Sequence, residues 1–418
     1  MYRYPTFYNL EYRKEGVLVL KGEDIVQGGF VQNQSQDYIS LEDASRFPKT
    51  ILEEGDLIFS VRGYVGKIGI IDKKYIGSII SANLIRAKIS GLSSYFVWVF
   101  LNSKYGSSQL DRIKMMTSQE TVVADDIRNL LIFEPSKNFQ KEIETLSINA
   151  INQFRNSENL YSQAENLLLE ELGLKDFKPK YEKTYTAKLS DAFLAHRIDA
   201  EYFQPAYEEV IEKLRENNID LKPLRKFILS IQKGIELGSE NYRDEGKPFI
   251  RVSNLSKYGF TDRDQKYLSE ELYQQLRETY EPRQGDFLLT KDATPGIAYV
   301  VKERIEGIIS SGILRLQIND SEINKEYLAL CINSIVGKMQ VERDCGGSVI
   351  LHWKPEQVKR LQIPILPLSI QQEIASLVQQ SHKARKKAKE LLELAKRAVE
   401  IAIEEGEEKA INFLSRIK

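Results

Sequence analysis

The feature that most limits what this chain folds into is a long internal repeat. Tyr12-Arg13-Lys14-Glu15-Gly16 aligns with Tyr242-Arg243-Asp244-Glu245-Gly246, 230 residues further on. At the same offset LVLKGEDI (18–25) aligns with PFIRVSNL (248–255), and EEGDLIFSVRGYVGKIGIID (53–72) with RQGDFLLTKDATPGIAYVVK (283–302). IISANLIRAKI (79–89) aligns with IISSGILRLQI (308–318) at 229. Arg112 to Leu130 aligns with Arg343 to Leu361, and QKEI (140–143) with QQEI (371–374), both at 231. An offset this steady over more than 100 residues means that one module is built twice.

Each copy ends in a long amphipathic stretch, 138–172 and 369–405. In the first, Ile143, Leu146, Ala150, Phe154, Ser157, Tyr161, Ala164, Leu168 and Leu172 recur at steps of three or four. In the second, Ile374, Leu377, Ser381, Ala384, Ala388, Leu391, Ala395, Ala398 and Ala402 do the same. That is a heptad seam, with no Pro or Gly inside either stretch. At 1.5 Å per residue each helix is roughly 50 Å long. A lone helix of this kind is unstable unless its stripe is buried, so the two are expected to pack as a coiled coil.

Ahead of each helix the matched segments are short and β-rich. DLIFSV and FLLTK alternate apolar with polar residues and lead into Gly-rich turns at 62–67 and 294–296, while 93–103 and 324–334 read as helices. The fold class is therefore α+β, in two pseudo-symmetric copies. The expected boundaries are a first globular domain at 1–136, a first long helix at 137–173, a linker at 174–188, a second globular domain at 189–367, a second long helix at 368–405 and a tail at 406–418. Ser136 is placed to cap the first helix and Gly173 to end it. Ser369-x-x-Gln372 offers a capping box for the second. The copies differ at the front. About 50 residues (189–241) precede the matched block in copy two, including an amphipathic SDAFLAHRIDAEYFQPAYEEVIEKL, but only 11 precede it in copy one.

Chemistry-bearing motifs are missing. There is no phosphate-loop signature, no Asn/Asp-Pro-Pro-Tyr/Phe run, no His-Glu-x-x-His pattern and no Gly-x-Ser-x-Gly elbow. The three His residues (196, 352 and 382) lie far apart, and two Cys (331 and 345) support neither a disulfide framework nor a four-Cys zinc site. Asp56 and Asp286 each follow a turn glycine and are read as turn ligands rather than metal ligands. The sequence holds no run of about 18 apolar residues, and a reducing cytoplasmic setting is expected. A net charge of −1 argues against a generic polyanion binder, but basic residues segregated onto one face would still serve DNA.

The doubled order, a strand with Gly-Asp, Gly-rich turns, apolar strands, a Pro-containing strand and then Gln-x-Glu-Ile opening a long helix, resembles the specificity subunit of type I restriction-modification systems. HRIDAEYFQP (196–205), KPFIRVSNL (247–255), QGDFLLT (284–290) and LQIPILPLSIQQEIA (361–375), with their first-copy partners, carry the resemblance over nearly the whole chain. It implies two target-recognition domains separated by two long antiparallel helices, each domain reading half of an asymmetric bipartite double-stranded DNA target. It implies a non-catalytic chain with no cofactor of its own. S-adenosylmethionine would sit in two methylation subunits docked on the helices, with ATP and Mg in partner subunits that include the restriction subunits. No membrane partner is expected. A coiled-coil adaptor with two protein-binding modules is the competing reading.

On this resemblance the DNA contacts are expected on loops between the matched strands. The first set is Arg62, Tyr64 and Lys67, with Lys291 and Thr294 as second-copy counterparts. The second is Lys114, Ser118 and Gln119, with Arg343 and Ser348. The third is Lys21, with Arg251, Ser253 and Asn254. Lys233 has no first-copy counterpart. Gly63, Gly66 and Gly296 are read as turn residues, and the basic run 383–389 as a solvated coiled-coil face. His352-Trp353 is read either as a base-stacking pair or as an interior pair.

Overall fold

A computed structural model describes the backbone of residues 2–3 and residues 10–63, 65–115, 121–345 and 351–416 in full. The chain forms two compact units. One comprises Met1–Asn156 with Ala384–Lys418, the other Ser157–Lys383. Each long helix (Lys137–Glu171 and Leu368–Glu405) contributes one part to each unit.

Among the described residues the first unit holds seven strands. They are β1 (Tyr2–Arg3), β2 (Val17–Leu20), β3 (Tyr38–Ile39), β4 (Leu57–Ser60), β5 (Ile68–Ile70), β6 (Ile79–Ile80) and β7 (Leu84–Ala87). An antiparallel sheet runs β1-β7-β4-β5, and a smaller mixed sheet runs β3-β2-β6. All four residues of β4 and of β7 are buried. The helix Ser94–Leu101 lies within the same core, and its N-cap Ser93 accepts from the Phe96 N–H. The Lys137–Glu171 helix brings Phe139, Ile143, Ala150 and Phe154 into that core, and the Leu368–Glu405 helix brings Ala388, Leu392, Ala395 and Ala398. The two run antiparallel here, because Ser136 donates its N–H to Glu407 at 2.8 Å while Arg385 lies over the Phe154 ring at 4.3 Å.

The second unit has the strands β8 (Asp220–Pro223), β9 (Ile228–Lys233), β10 (Lys247–Ile250), β11 (Leu255–Ser256), β12 (Gly259–Phe260), β13 (Lys266–Leu268), β14 (Phe287–Thr290), β15 (Ala298–Val300), β16 (Ile308–Ile309), β17 (Ile313–Ile318) and β18 (Gln362–Ile365). Its sheets β9-β17-β14-β15 and β13-β10-β16 repeat those of the first unit strand for strand. The register is kept as well. Tyr2 faces Arg86 as Gln232 faces Arg315, so β1 stands where the end of β9 stands. The pair β8–β18 has no equivalent, and Leu131–Glu134, which corresponds to β18, pairs with no strand among the described residues.

Buried polar groups explain why the repeated residues recur. Arg86 donates to Asp56 at 2.7 Å, and the equivalent Arg315 faces Asp286 at 3.7 Å. Both carboxylates also accept a backbone N–H three residues back, from Glu53 and Arg283, so they tie turns as the sequence suggested. Within the second unit Ser381 donates its buried hydroxyl to the Ser157 backbone carbonyl at 2.6 Å, which explains the serine in the second seam.

The ends of the first helix follow expectation. Ser136 caps Phe139 at 3.3 Å. Gly173 takes φ +68°, and its neighbour Leu174 bonds back to Leu169 at 2.7 Å, a Schellman ending. Two expectations are corrected. The second helix starts at Leu368, so Ser369 lies inside it and no box forms with Gln372; Pro367 supplies the first accepting carbonyl, to Gln371. The amphipathic stretch 190–214 is not one helix. It breaks at His196, which is left-handed at φ +51°, and resumes at Ala206 after Pro205.

Candidate nucleic-acid interface

In both units the hairpin turn after the buried strand is held against a second loop. In the first, Val61 accepts from the Val122 N–H at 3.3 Å, and Arg62 bridges to Thr121 through the backbone. Thr121 also bridges Met115, which draws in the end of the helix Lys104–Ile113. Gly66, at φ +89°, lies so close to Lys114 that an added Cβ would stand 2.9 Å from Cε. The loops carrying Arg62 and Lys114 are therefore one surface. In the second unit Lys291 accepts from the Trp353 N–H at 2.8 Å, and Asp292 bridges to His352. Thr290 closes the turn, donating its hydroxyl to Thr294 at 2.6 Å and accepting from Ile297 at 2.9 Å.

The expected contact residues are not equally available. Arg62 is exposed and makes no side-chain hydrogen bond or ion pair with any described residue. Lys233 is likewise exposed and unpaired among them, and Ser253 and Thr294 are exposed. Lys67 reaches the Ile25 carbonyl at 3.3 Å, and Lys114 pairs with Asp111. Lys21 pairs with Asp37 and lies over the Tyr12 ring at 4.8 Å. Burial lowers its pKa, but the hydrogen bond it donates to Asp37, together with the negative charge around it, outweighs this and the net shift is upward. Arg251 pairs with Asp264 at 2.8 Å, and Lys291 with Asp292. Arg343 pairs with Glu208 and stacks over Tyr202 at 4.6 Å. Tyr64, Ser118, Gln119 and Ser348 lie outside the described residues.

Asn254 is corrected outright. It is 1% exposed, and its amide accepts from Arg251 N and donates to the Thr261 and Arg263 carbonyls. It holds a turn, as Asp24 does in the first unit by accepting from Lys21 N at 2.7 Å. The residue pair 352–353 divides. Trp353 is 1% exposed and anchors the loop in the core, whereas the His352 side chain is 60% exposed.

Cys331 and Cys345 are buried free thiols, both pushed up to about 12 by burial. That suits core residues rather than nucleophiles. No cluster of His, Cys, Asp or Glu among the described residues is arranged to hold a metal, and no helix among them is long and apolar enough to cross a membrane.

Exposed loops, some of them carrying basic residues, thus recur on two copies of one scaffold. Residues 227–394 match the family model of the type I restriction modification DNA specificity domain. That match spans 168 of the chain's 418 residues. Among curated proteins none matches. Solved structures similar to it include the S subunit of the type I restriction-modification system of M. genitalium, at 16% identity, covering 92% of this chain and 91% of that one with a TM-score of 0.38. The HsdS subunit of Thermoanaerobacter tengcongensis is 16% identical, with 96% and 94% covered and a TM-score of 0.30.

Proposed function

We propose that the chain is the non-catalytic specificity subunit of a type I restriction-modification complex. Each unit reads one half of an asymmetric bipartite target in double-stranded DNA. The continuous helices set the gap between the halves and dock two methylation subunits. In this reading S-adenosylmethionine, ATP and Mg belong to partner subunits, restriction subunits complete the assembly, and the complex works in the cytoplasm.

The observation that carries the reading is a paired loop built twice with different chemistry. Arg62 opposes Thr121 in one unit, and Asp292 opposes His352 at the equivalent place in the other. A repeated scaffold with divergent loop residues is what two different half-sites require. The test is to express the chain with its methylation partner and map methylated adenines in the host DNA. A bipartite motif with an undefined middle is expected, and binding should weaken steeply with salt. Uniform methylation, or none, would sink the proposal.

A further inference from the structure

The geometry points to His352, positioned by Asp292, as a base-reading residue of the second unit. The assignment rests on the specificity reading above and deepens it. His352 lies at the place that Thr121 takes in the first unit, directly across the loop pair from the position held by Arg62 there and by Asp292 here. In the first unit the residue across from this place, Arg62, is an exposed guanidinium with no side-chain bond to a described residue. In the second the equivalent position is a carboxylate, which is turned inward. One oxygen of Asp292 meets His352 Nδ1 at 2.8 Å, and the other is taken by Lys291. Lys291 and Asp292 are thus paired with each other, while the imidazole faces solvent.

Three restraints fix that imidazole. Its backbone is bridged to Asp292. Its neighbour Trp353 is buried, with its N–H on the Lys291 carbonyl at 2.8 Å. Its Nδ1 is held by the carboxylate. A side chain that is 60% exposed would otherwise sample several rotamers, so this is a preorganised group on a surface where recognition is expected. With Nδ1–H donated to Asp292, the neutral ring presents Nε2 as an acceptor. In the major groove such an acceptor matches the exocyclic amine of adenine or cytosine. Arg62 presents only donors and matches guanine. The two units thereby offer opposite hydrogen-bonding chemistry from opposite sides of the same loop pair.

The experiment is adenine-methylation mapping with the full chain and its methylation partner, comparing wild type, H352A and D292A. The expected result is a wild-type motif with adenine or cytosine fixed at one position of one half. H352A should relax that position roughly tenfold, leaving the other half intact, and D292A should relax it less. If H352A abolishes methylation, binding of purified H352Q to half-site variants decides. A wild-type melting temperature with relaxed preference at one base pair supports the assignment, and wild-type preference overturns it. An H352A motif identical to wild type in both halves also overturns it, with the specificity reading left standing. A wild-type chain with no bipartite motif fails both.

Discussion

Gln140 accepts the backbone N–H of Ser93 at 2.9 Å while its own amide donates to the Pro135 carbonyl at 3.0 Å. One side chain thus fastens the cap of the Ser94–Leu101 helix to the start of the long helix. Gln371 does the same in the second unit, accepting from Asn324 N at 3.1 Å and donating to Leu366 O at 2.9 Å. Both amides are buried. A second pair of clamps repeats in the same way: Gln109 exchanges two bonds with Leu131, at 2.9 and 3.0 Å, and Gln340 exchanges two with Gln362, at 2.8 and 3.0 Å. The repeated glutamines are joints between secondary elements.

Replacing such a joint leaves a buried donor and a buried acceptor without partners. Q371A should therefore cost about 2–4 kcal/mol. The denaturant midpoint of the full chain measures it, with hydrogen exchange localising the loss to the second unit. Q140A should do the same in the first. An unchanged midpoint in both variants would show that the clamps are incidental.

The seam was legible because it obeys a local rule. All nine residues named for the first helix are buried, from Ile143 to Leu172. In the second, Leu377 and Leu391 are only partly buried, whereas Ala375, Val378, Leu392, Val399 and Ile401 are fully so. A strict heptad describes a helix with one partner, and here globular elements of each unit cover further faces. Contacts distant in sequence were not legible. Nothing local announces that Arg343 meets Glu208, or that the Asn254 amide is used up by Thr261 and Arg263. The split between His352 and Trp353 needed the loop geometry, although the offset of 231 already set His352 against Thr121.

Asn254 gives a clean separation of structure from recognition. N254A removes three hydrogen bonds from a buried turn and should lower stability by about 2 kcal/mol or more. S253A, one residue away and exposed, should leave the melting temperature unchanged. Equal melting of the two variants would contradict the turn-holding role.

Arg62 is an exposed cation with no side-chain partner among the described residues. R62A should weaken binding to the half-site read by the first unit by about 1–3 kcal/mol, and R62K should not restore base preference, because a bidentate fork is lost. Competition binding with half-site variants checks this. Equal loss on every sequence would make Arg62 a phosphate contact instead.

Asp292 links the second loop pair to pH. Burial alone pushes its carboxyl up, but bonds from Lys291 and His352 outweigh this and hold it below the usual range. A carboxyl depressed in the folded state contributes stability that is present above its unfolded pKa and is lost as pH falls through the folded one. The stability gap between wild type and D292N should therefore be flat from about pH 5 to 7 and shrink below about pH 4. A gap that widens on acidification would reverse the sign and the assignment.

The exposed Lys386 and Lys387 sit on the second long helix, with Ala384 and Ala388 on its buried side. Arg385 between them is committed to the first unit, bonding Gln32 at 3.1 Å and stacking on Phe154. The outward face of the basic run is thus exposed to solvent, while the inward face holds the core. Glu has helix propensity similar to Lys, so K386E/K387E should fold. In the proposed complex it should reduce co-purification of the methylation subunit more than it reduces DNA affinity, since the charges sit on the docking helix and not on the reading loops. Pull-down of the co-expressed methylation subunit, read beside a salt-matched DNA titration, measures both. Unchanged co-purification would remove this face from the docking surface, and a loss confined to DNA binding would reassign the run to phosphate contact.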